Sequence, residues 1–382
     1  MDSYLSNLSR IHDGVNDTVR NPDQEKNDIY PQNVMATVYV TITLIMSIVG
    51  IVGNTFVLGA LLVHRKLRVL GNCFIGNLAV ADLFICTIID PFVAVGVFTN
   101  GTFFYKYNIC CEIVASVCMV TCICSLWSIC LLSINRYLCI CHNKIYAMIY
   151  TQKTVPLMLL GLWTYCFLLD LPNFIGWGNH GYDSKGYMCS YDYREDYSYT
   201  LCLIFAGIMV PMVLVTYCYV QIIRFVNENK RKLKLNMRKQ NPLSARRMRR
   251  TDFRLLKSVA TIWFVFTLTW FPYGVLMLLS NPNIPQWLYL VSIILAHSNS
   301  SLNCLIYAAT NKTFRTAYKT AWYRAICCVI SEKKARSKGA CITTVSENSG
   351  WTHGNKSSPR LSDCGSKSIT HDRSMALLDF SR

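Results

Sequence analysis

The sequence predicts an all-α membrane protein, and three observations support this fold class. Of 382 residues, 52% are hydrophobic and only 15% are charged, which is too apolar for an ordinary soluble protein. The run from Ile113 to Ile134 has 22 residues without a charge, enough to cross a hydrocarbon core of about 30 Å. Of the 38 lysines and arginines, 32 fall in alternate connecting segments and the tail, a distribution that orients a protein in a membrane.

Seven apolar runs between residues 35 and 310 predict a seven-transmembrane helix bundle. Positively charged loops face the cytoplasm, so residues 1–34 are predicted to be extracellular and the chain to be a multi-pass plasma-membrane protein. The net charge of +17 forms no single basic face, which argues against a nucleic-acid partner. The predicted spans are Met35–Val63, Asn72–Val97, Cys111–Leu138, Val155–Ile175, Tyr199–Phe225, Phe253–Ser280 and Gln286–Thr310.

The predicted outer segments carry signs of an oxidising, glycosylating compartment. Cys111 begins span three and Cys189 lies in the second outer loop, so a disulfide between them is predicted, with the neighbouring Cys110 as the competing partner. Most of the other cysteines lie inside apolar spans, where a thiol acts as a small hydrophobe. Three Asn-X-Ser/Thr sequences predict glycosylation of the segment 1–34 and the first outer loop, at Asn7, Asn16 and Asn100.

Polar residues inside the spans are costly in lipid and therefore indicate function. Asp82 is the one charge that we place near the midplane of the bundle. Two interpretations stay open and do not exclude each other: a hydrated cavity that holds a cation, and a structural hydrogen-bond network. The polar residues at comparable depth in other spans are Asn54, Ser125, Asn299 and Asn303.

On the predicted cytoplasmic side, Arg136 follows the uncharged run of span three. It is either a stop-transfer cation or a charge held at the mouth of the bundle for a partner. The segment Arg224–Lys257 has 13 basic residues and is either a solvated charge run or a docking site. Residues 311–328 predict an amphipathic helix on the inner membrane surface, with palmitoylation at Cys327 and Cys328. Residues 329–382 predict a disordered cytoplasmic tail.

Over residues 35–328, each predicted span contains a short motif that resembles the motif at the same place in the rhodopsin-like family of G-protein-coupled receptors. The resemblance implies a receptor that activates a heterotrimeric G protein, with arrestin and a receptor kinase as further partners. It also implies activation residues at Asn135, Arg136, Tyr137, Tyr219, Asn303 and Tyr307, and a modulating sodium ion at Asp82, Ser125, Asn299 and Asn303, with no other cofactor. The motifs that carry the resemblance are Gly53-Asn54, Leu78–Asp82, Cys111, Asn135–Tyr137, Trp163, Pro211 with Tyr219, Trp270–Pro272 and Asn303–Tyr307.

Within that family the chain is most similar to the melatonin receptors. Asn135 replaces the usual aspartate before the arginine, and Asn303-Cys304 lacks the usual proline. The stretches Ile284–Leu288 and Leu171–Asn173 are also similar. This likeness implies inhibitory-type coupling. Two ligand positions differ, because Gly207 stands where those receptors have a histidine and Tyr193 where they have a glutamine.

The resemblance places a small-molecule ligand among mostly apolar and aromatic side chains, which suits a small, flat, neutral molecule. Cys118 stands where amine receptors have an aspartate, so a protonated amine would lack a counter-ion. An indole amide ranks first and a non-covalent retinoid second. The implied ligand residues are Cys118, Met119, Cys122, Asn173, Trp270, Tyr273 and His297.

The second outer loop instead resembles that of opsins, in Gly176–Gly178 and Cys189–Tyr193. Opsins attach retinal to a lysine of span seven, and that position is His297 here. We expect His297 to pack between helices and to bond a neighbouring hydroxyl. The alternative function is therefore an opsin-related receptor with non-covalent retinal or none.

Two other classes of function are disfavoured by the sequence. An ion channel or transporter is expected to show internal repeats or several charges along a path through the bundle. An enzyme needs a catalytic constellation, whereas His64, His142 and His297 are scattered over different loops and depths.

Overall fold

A computed structural model describes the backbone of residues 22–192, 195–236, 242–279 and 283–323, and the side chains of 34–192, 195–229, 231, 260–279 and 283–323. The predictions for Asn7, Asn16, Tyr193, Cys327, Cys328 and residues 329–382 lie outside these ranges.

The described part of the chain contains seven helices that are long and apolar enough to cross a membrane. We call them spans 1 to 7. They are Val34–Val63, Leu70–Thr99, Asn108–Cys141, Thr154–Phe174, Tyr197–Asn229, Ala260–Leu279 and Gln286–Thr310. The seven-helix bundle predicted from the apolar runs is therefore confirmed.

The helices and strands follow one another in a simple order along the chain. The α-helices are α1 (Pro22–Val63), α2 (Cys73–Phe84), α3 (Asp90–Thr99), α4 (Thr102–Lys106), α5 (Asn108–Cys141), α6 (Asn143–Ile149), α7 (Thr154–Asp170), α8 (Tyr197–Leu203), α9 (Val210–Asn236), α10 (Pro242–Leu279) and α11 (Gln286–Thr310). Two strands, β1 (His180–Asp183) and β2 (Met188–Tyr191), lie between α7 and α8.

Spans 2 and 5 are interrupted by π-helical turns, at Ile85–Ile89 and Ile204–Met209. Each turn is followed by a proline, Pro91 or Pro211. Proline lacks a backbone donor and crowds the preceding turn, so the helix must rearrange its hydrogen bonds there. The rearrangement re-aims the residues beyond it, among them Asp90.

Span 3 runs through the middle of the bundle and contributes to all three clusters of buried apolar side chains. One cluster surrounds the Cys111–Cys189 disulfide, and another includes Tyr219 and Tyr307. We call the half of the bundle around the Cys111–Cys189 disulfide the disulfide half. We call the half around Arg136, Tyr219 and Tyr307 the arginine half.

The two strands form an antiparallel hairpin with Tyr182 opposite Cys189. Cys189 is bonded to Cys111 at the start of span 3, so the pairing with Cys111 rather than Cys110 is present. Met188 and Tyr191 are buried, and Tyr39 of span 1 donates to the Gly186 carbonyl at 3.2 Å. The hairpin is thereby packed into the disulfide half.

Residues 312–323 form a helix after span 7, where the amphipathic pattern predicts one. Phe314 is buried and stacks on Tyr307, with ring centroids 5.0 Å apart. Ala317 is also buried, whereas Arg315 and Lys319 are exposed. One face of this helix therefore packs on the bundle.

Candidate functional site

Asp82 lies at the centre of a buried polar group between spans 2, 3 and 7. Its two carboxylate oxygens accept hydrogen bonds from Ser125 Oγ at 3.1 Å and from Asn303 Nδ2 at 2.9 Å. The amide oxygens of Asn299 and Asn303 are buried and have no hydrogen-bond partner among the described residues. Hard cations bind carboxylate, hydroxyl and amide oxygens, so this set of donors fits a sodium ion.

Asn54, the fifth polar residue of the predicted group, has a different role. Its amide donates to the Ser300 carbonyl at 2.9 Å and to the Gly50 carbonyl at 3.0 Å. Both acceptors are backbone groups, so Asn54 ties span 1 to span 7 directly. The sequence left two interpretations open, a cavity that holds a cation and a structural hydrogen-bond network. For Asn54, the structural network is the one that applies.

A second carboxylate, Asp90, is buried in span 2 and was missed in the sequence. His297 Nδ1 lies 2.8 Å from Asp90 Oδ1, and both side chains are almost fully buried. The expectation that His297 bonds a hydroxyl is therefore wrong, since its partner is a carboxylate. Pro91 in the sequence indicates that the helix is disturbed at this point. The π-helical turn before it rotates Asp90 toward span 7.

A third buried carboxylate, Asp170, lies at the end of α7. It is 3.0 Å from His180 Nε2 on β1 and accepts from the Ser116 hydroxyl and from Asn173 Nδ2. Asp90 and Asp170 are thus buried carboxylates within the spans, in addition to Asp82, that the sequence analysis did not single out. The sequence shows Asp170 two residues before Pro172, but its partner His180 is brought close only by the hairpin.

A cavity of about 80 Å³ lies in the disulfide half. Six of the seven ligand residues implied by the resemblance line it: Cys118, Met119, Cys122, Trp270, Tyr273 and His297. Met188, Ser190 and Tyr191 of the hairpin also line it. The hairpin therefore forms part of the cavity wall.

Asn173, the seventh ligand residue, does not line the cavity. Its amide bonds the Tyr199 hydroxyl at 2.7 Å and Asp170 Oδ1 at 3.1 Å, and contacts Met119 Sδ. Since Met119 lines the cavity, Asn173 lies behind the wall and supports it.

A second, larger cavity of about 280 Å³ adjoins the first between spans 3, 5 and 6. Gly207, one of the two ligand positions at which the sequence departs from the resemblance, lines it. A Cβ added at Gly274 would meet no atom within 4 Å. The missing side chain of Gly274 therefore contributes to the space of this second cavity. Cys122, Ile123, Ile208, Trp270 and Met277 line both cavities.

The residues implied in activation are collected in the arginine half. Arg136 donates to Asn72 Oδ1 at 3.0 Å, and among the described residues it has no carboxylate partner. Tyr137 bonds His142 at 2.9 Å. Asn135, Tyr219 and Tyr307 are buried, and the Tyr307 hydroxyl has no hydrogen-bond partner within the described part of the chain. Arg136 is therefore held by a neutral amide.

Comparisons with known proteins agree with this arrangement. The family model of the seven-transmembrane receptors of the rhodopsin family matches residues 53–307. Melatonin receptor type 1A of Gallus gallus is 32% identical over 315 residues, covering 80% of this chain and 86% of that protein. Melatonin receptor type 1B-B of Danio rerio is 30% identical over 288 residues, covering 74% of this chain and 80% of that protein. The crystal structure of squid rhodopsin has a TM-score of 0.68 at 22% identity, covering 77% of this chain and 87% of that one.

Proposed function

This chain belongs to the rhodopsin family of seven-transmembrane receptors, and from that premise we propose that a small, flat, neutral molecule in its cavity drives an inhibitory-type heterotrimeric G protein. The chain is a multi-pass membrane receptor and not an enzyme. The observation that carries the proposal is the cavity itself, lined by six of the residues expected to hold a ligand. The amino terminus is extracellular in this proposal, which places the hairpin and the glycosylation sites outside the cell.

A neutral ligand is favoured by the pairing of the nearby carboxylates. Cys118 stands at the amine-binding position, and Asp90 and Asp170 each already bond a histidine. An ammonium would have to displace His297 from Asp90 or remain unpaired, and an unpaired buried charge is costly. The cavity wall is otherwise formed mainly by apolar and aromatic side chains. An indole amide satisfies these conditions best.

The alternative ligand is a retinoid held without a covalent bond. It is favoured by the long apolar space that the second cavity adds to the first. No lysine lines either cavity in the described part of the chain, so a Schiff base is not part of this alternative.

A G-protein activation screen tests the ligand proposal. Cells that express the receptor are exposed to melatonin, related indoles, retinoids and amines, in darkness and in light. We expect a response to a neutral indole that Met119→Ala weakens, and no response to primary amines at low concentration. A full response to a primary amine contradicts the argument from Cys118 and Asp90. A light response that needs added retinal moves the receptor to the opsin-related alternative.

Sodium is proposed to bind at Asp82, Ser125, Asn299 and Asn303 and to favour the inactive bundle. The support is the pair of unpartnered amide oxygens beside the carboxylate. A ligand that favours one state shifts the equilibrium toward it, so agonist affinity falls as sodium rises, with potassium at equal ionic strength as the control. An Asp82→Asn receptor that keeps the full sodium response contradicts the site.

The partners beyond the G protein are also proposed. Arrestin and a receptor kinase follow from the receptor class, and they would act on the cytoplasmic segments. Truncation of residues 329–382 is expected to reduce arrestin recruitment while G-protein activation persists. Equal recruitment by the truncated and full-length receptors contradicts this role of the tail.

A further inference from the structure

The second cavity, of about 280 Å³ between spans 3, 5 and 6, offers almost no hydrogen-bond partner to water. Among the described residues that line it, Thr267 carries the only hydroxyl, and none has an amide or charged side chain. The Thr267 hydroxyl already donates to the Trp263 carbonyl at 2.9 Å. Apolar cavities of about 150 Å³ stay dry and bind apolar molecules instead. The chemistry of the wall therefore favours a hydrocarbon occupant.

Three of the side chains that line this cavity are also exposed on the outside of the bundle. Phe271 is 66% exposed, Met209 is 51% exposed and Leu278 is 45% exposed. Met209 belongs to span 5, and the other two belong to span 6. The outside of a transmembrane bundle faces the acyl chains of the bilayer. The cavity therefore meets the hydrocarbon of the membrane between spans 5 and 6.

The inner wall of the same cavity lies in the core of the bundle. Leu126 of span 3 and Phe266 of span 6 line it, and each is only 3% exposed. The Phe266 ring stacks on Trp270, with ring centroids 5.7 Å apart, so it is held in place. The space therefore extends from the lipid-facing surface into the bundle and is deeper than a surface groove.

Two glycines that line the cavity are not required by close packing of the helices. A Cβ added at Gly207 would meet Leu203 at 3.6 Å and Ile123 at 3.7 Å, which are ordinary contacts, and one added at Gly274 would meet no atom within 4 Å. Neither glycine has a positive φ. Glycine is among the least favourable residues in a helix interior. Gly207 and Gly274 thus leave open a space that the neighbouring helices do not need.

We propose that the second cavity binds an acyl chain of a bilayer lipid, which enters between spans 5 and 6. Bilayer lipid surrounds the receptor at high concentration, so even weak binding fills the site by mass action. The wall has no charged or free polar side chain for a head group, which therefore stays at the membrane surface. This site goes beyond the proposed function and does not depend on which ligand the first cavity takes.

A bound chain also supports the wall that the two cavities share. Side chains that face a void lose dispersion contacts on that side, and a hydrocarbon chain restores them. The lipid is thereby a structural part of the ligand cavity. The side chains that it supports are Cys122, Ile123, Ile208, Trp270 and Met277.

The test uses the full-length receptor in phosphatidylcholine nanodiscs, without a ligand. A small fraction of the phosphatidylcholine carries a photoreactive diazirine on one acyl chain, and cross-linked residues are identified by peptide mass spectrometry. We expect cross-links at Leu126 and Phe266, which lipid on the outer surface of the bundle does not reach. Leu157 of span 4 is 67% exposed and reports the general labelling of the lipid-facing surface.

A pair of matched variants decides whether the cavity holds the chain. Gly274→Leu fills the space and is expected to lose the cross-links at Leu126 and Phe266, whereas labelling of Leu157 persists. Gly161→Leu is the control, because Gly161 lies exposed on span 4 and a Cβ there also meets no atom within 4 Å. It should keep both cross-links.

Thermal unfolding in detergent gives a second readout. A molecule that binds only the folded state raises the melting temperature, so added phosphatidylcholine should stabilise the parent and Gly161→Leu more than Gly274→Leu. If Gly274→Leu does not fold, Gly207→Val fills the opposite side of the cavity and is expected to give the same two results.

Specific outcomes overturn the inference. Labelling of Leu157 without cross-links at Leu126 or Phe266 in the parent means that lipid stays on the surface of the bundle. Cross-links that persist in Gly274→Leu, or that are lost equally in Gly161→Leu, show that the chain does not reach them through the cavity. Equal stabilisation of all three proteins by phosphatidylcholine contradicts the site as well. The G-protein activation screen tests the flat-ligand proposal separately, so the two can fail independently.

Discussion

The disulfide half and the arginine half differ in how their buried polar groups are held. In the disulfide half, Asp90 and Asp170 each bond a histidine, and the hairpin is fixed by a disulfide. In the arginine half, Arg136 bonds the neutral amide of Asn72, and among the residues whose side chains are described it has no carboxylate partner and its Nε has no hydrogen-bond partner. Paired charges cost much to separate, whereas a single bond to an amide costs little. The candidate ligand cavity therefore lies in the firmly held half, and the arginine half, which meets the G protein in the proposed function, is the one whose described polar contacts are weaker.

The largest effect is expected from removing one member of a buried pair. Asp90→Leu leaves His297 without its carboxylate and should lower the free energy of unfolding by about 3 kcal/mol, measured by thermal unfolding in detergent. The double variant Asp90→Leu/His297→Leu removes both polar groups and should recover most of the loss. A double variant as unstable as Asp90→Leu would show that the pair does not hold this half together.

The disulfide gives the next largest effect. Cys189→Ser opens the bond between the hairpin and span 3 and should cost about 2–4 kcal/mol in the free energy of unfolding. Cys110→Ser is the matched control, because Cys110 is a free cysteine beside the bonded Cys111. Equal losses in the two variants would mean that Cys110 also pairs with the loop.

A smaller effect compares the same chemical change in the two halves. Tyr39→Phe removes a hydrogen bond to the Gly186 carbonyl and should cost about 1 kcal/mol of the free energy of unfolding. Tyr307→Phe removes a buried hydroxyl that has no partner among the described residues, and the stability of the variant should equal that of the parent or exceed it. If Tyr307→Phe is the more destabilised of the two, the described difference between the halves is wrong.

The bundle could be predicted from the sequence because its signals are local. A long apolar run is a property of neighbouring residues, and it places spans such as Gln286–Thr310 correctly. The interruptions of spans 2 and 5 could not be placed in the same way. Pro91 and Pro211 indicate a disturbance, but the neighbouring helices decide whether it becomes a kink or a π-helical turn.

The candidate site was predictable where the resemblance to the receptor family could be read within a single span. The resemblance placed Cys118, Trp270 and His297 around a ligand, and all three line the cavity. The partners were not predictable, because each comes from a distant element. His180 reaches Asp170 only after the hairpin folds into the bundle, and Asn173 is drawn behind the wall by the same group.

Ligand-free G-protein activation tests the central claim most directly, because it measures how firmly the arginine half is closed. Nucleotide exchange on an inhibitory-type G protein is measured in membranes with matched receptor levels. We expect clear exchange by the parent, less exchange by Asn135→Asp, which gives Arg136 an acidic neighbour, and a loss of exchange in Arg136→Ala. Equal exchange by Arg136→Ala and the parent, or no change in Asn135→Asp, would contradict the account.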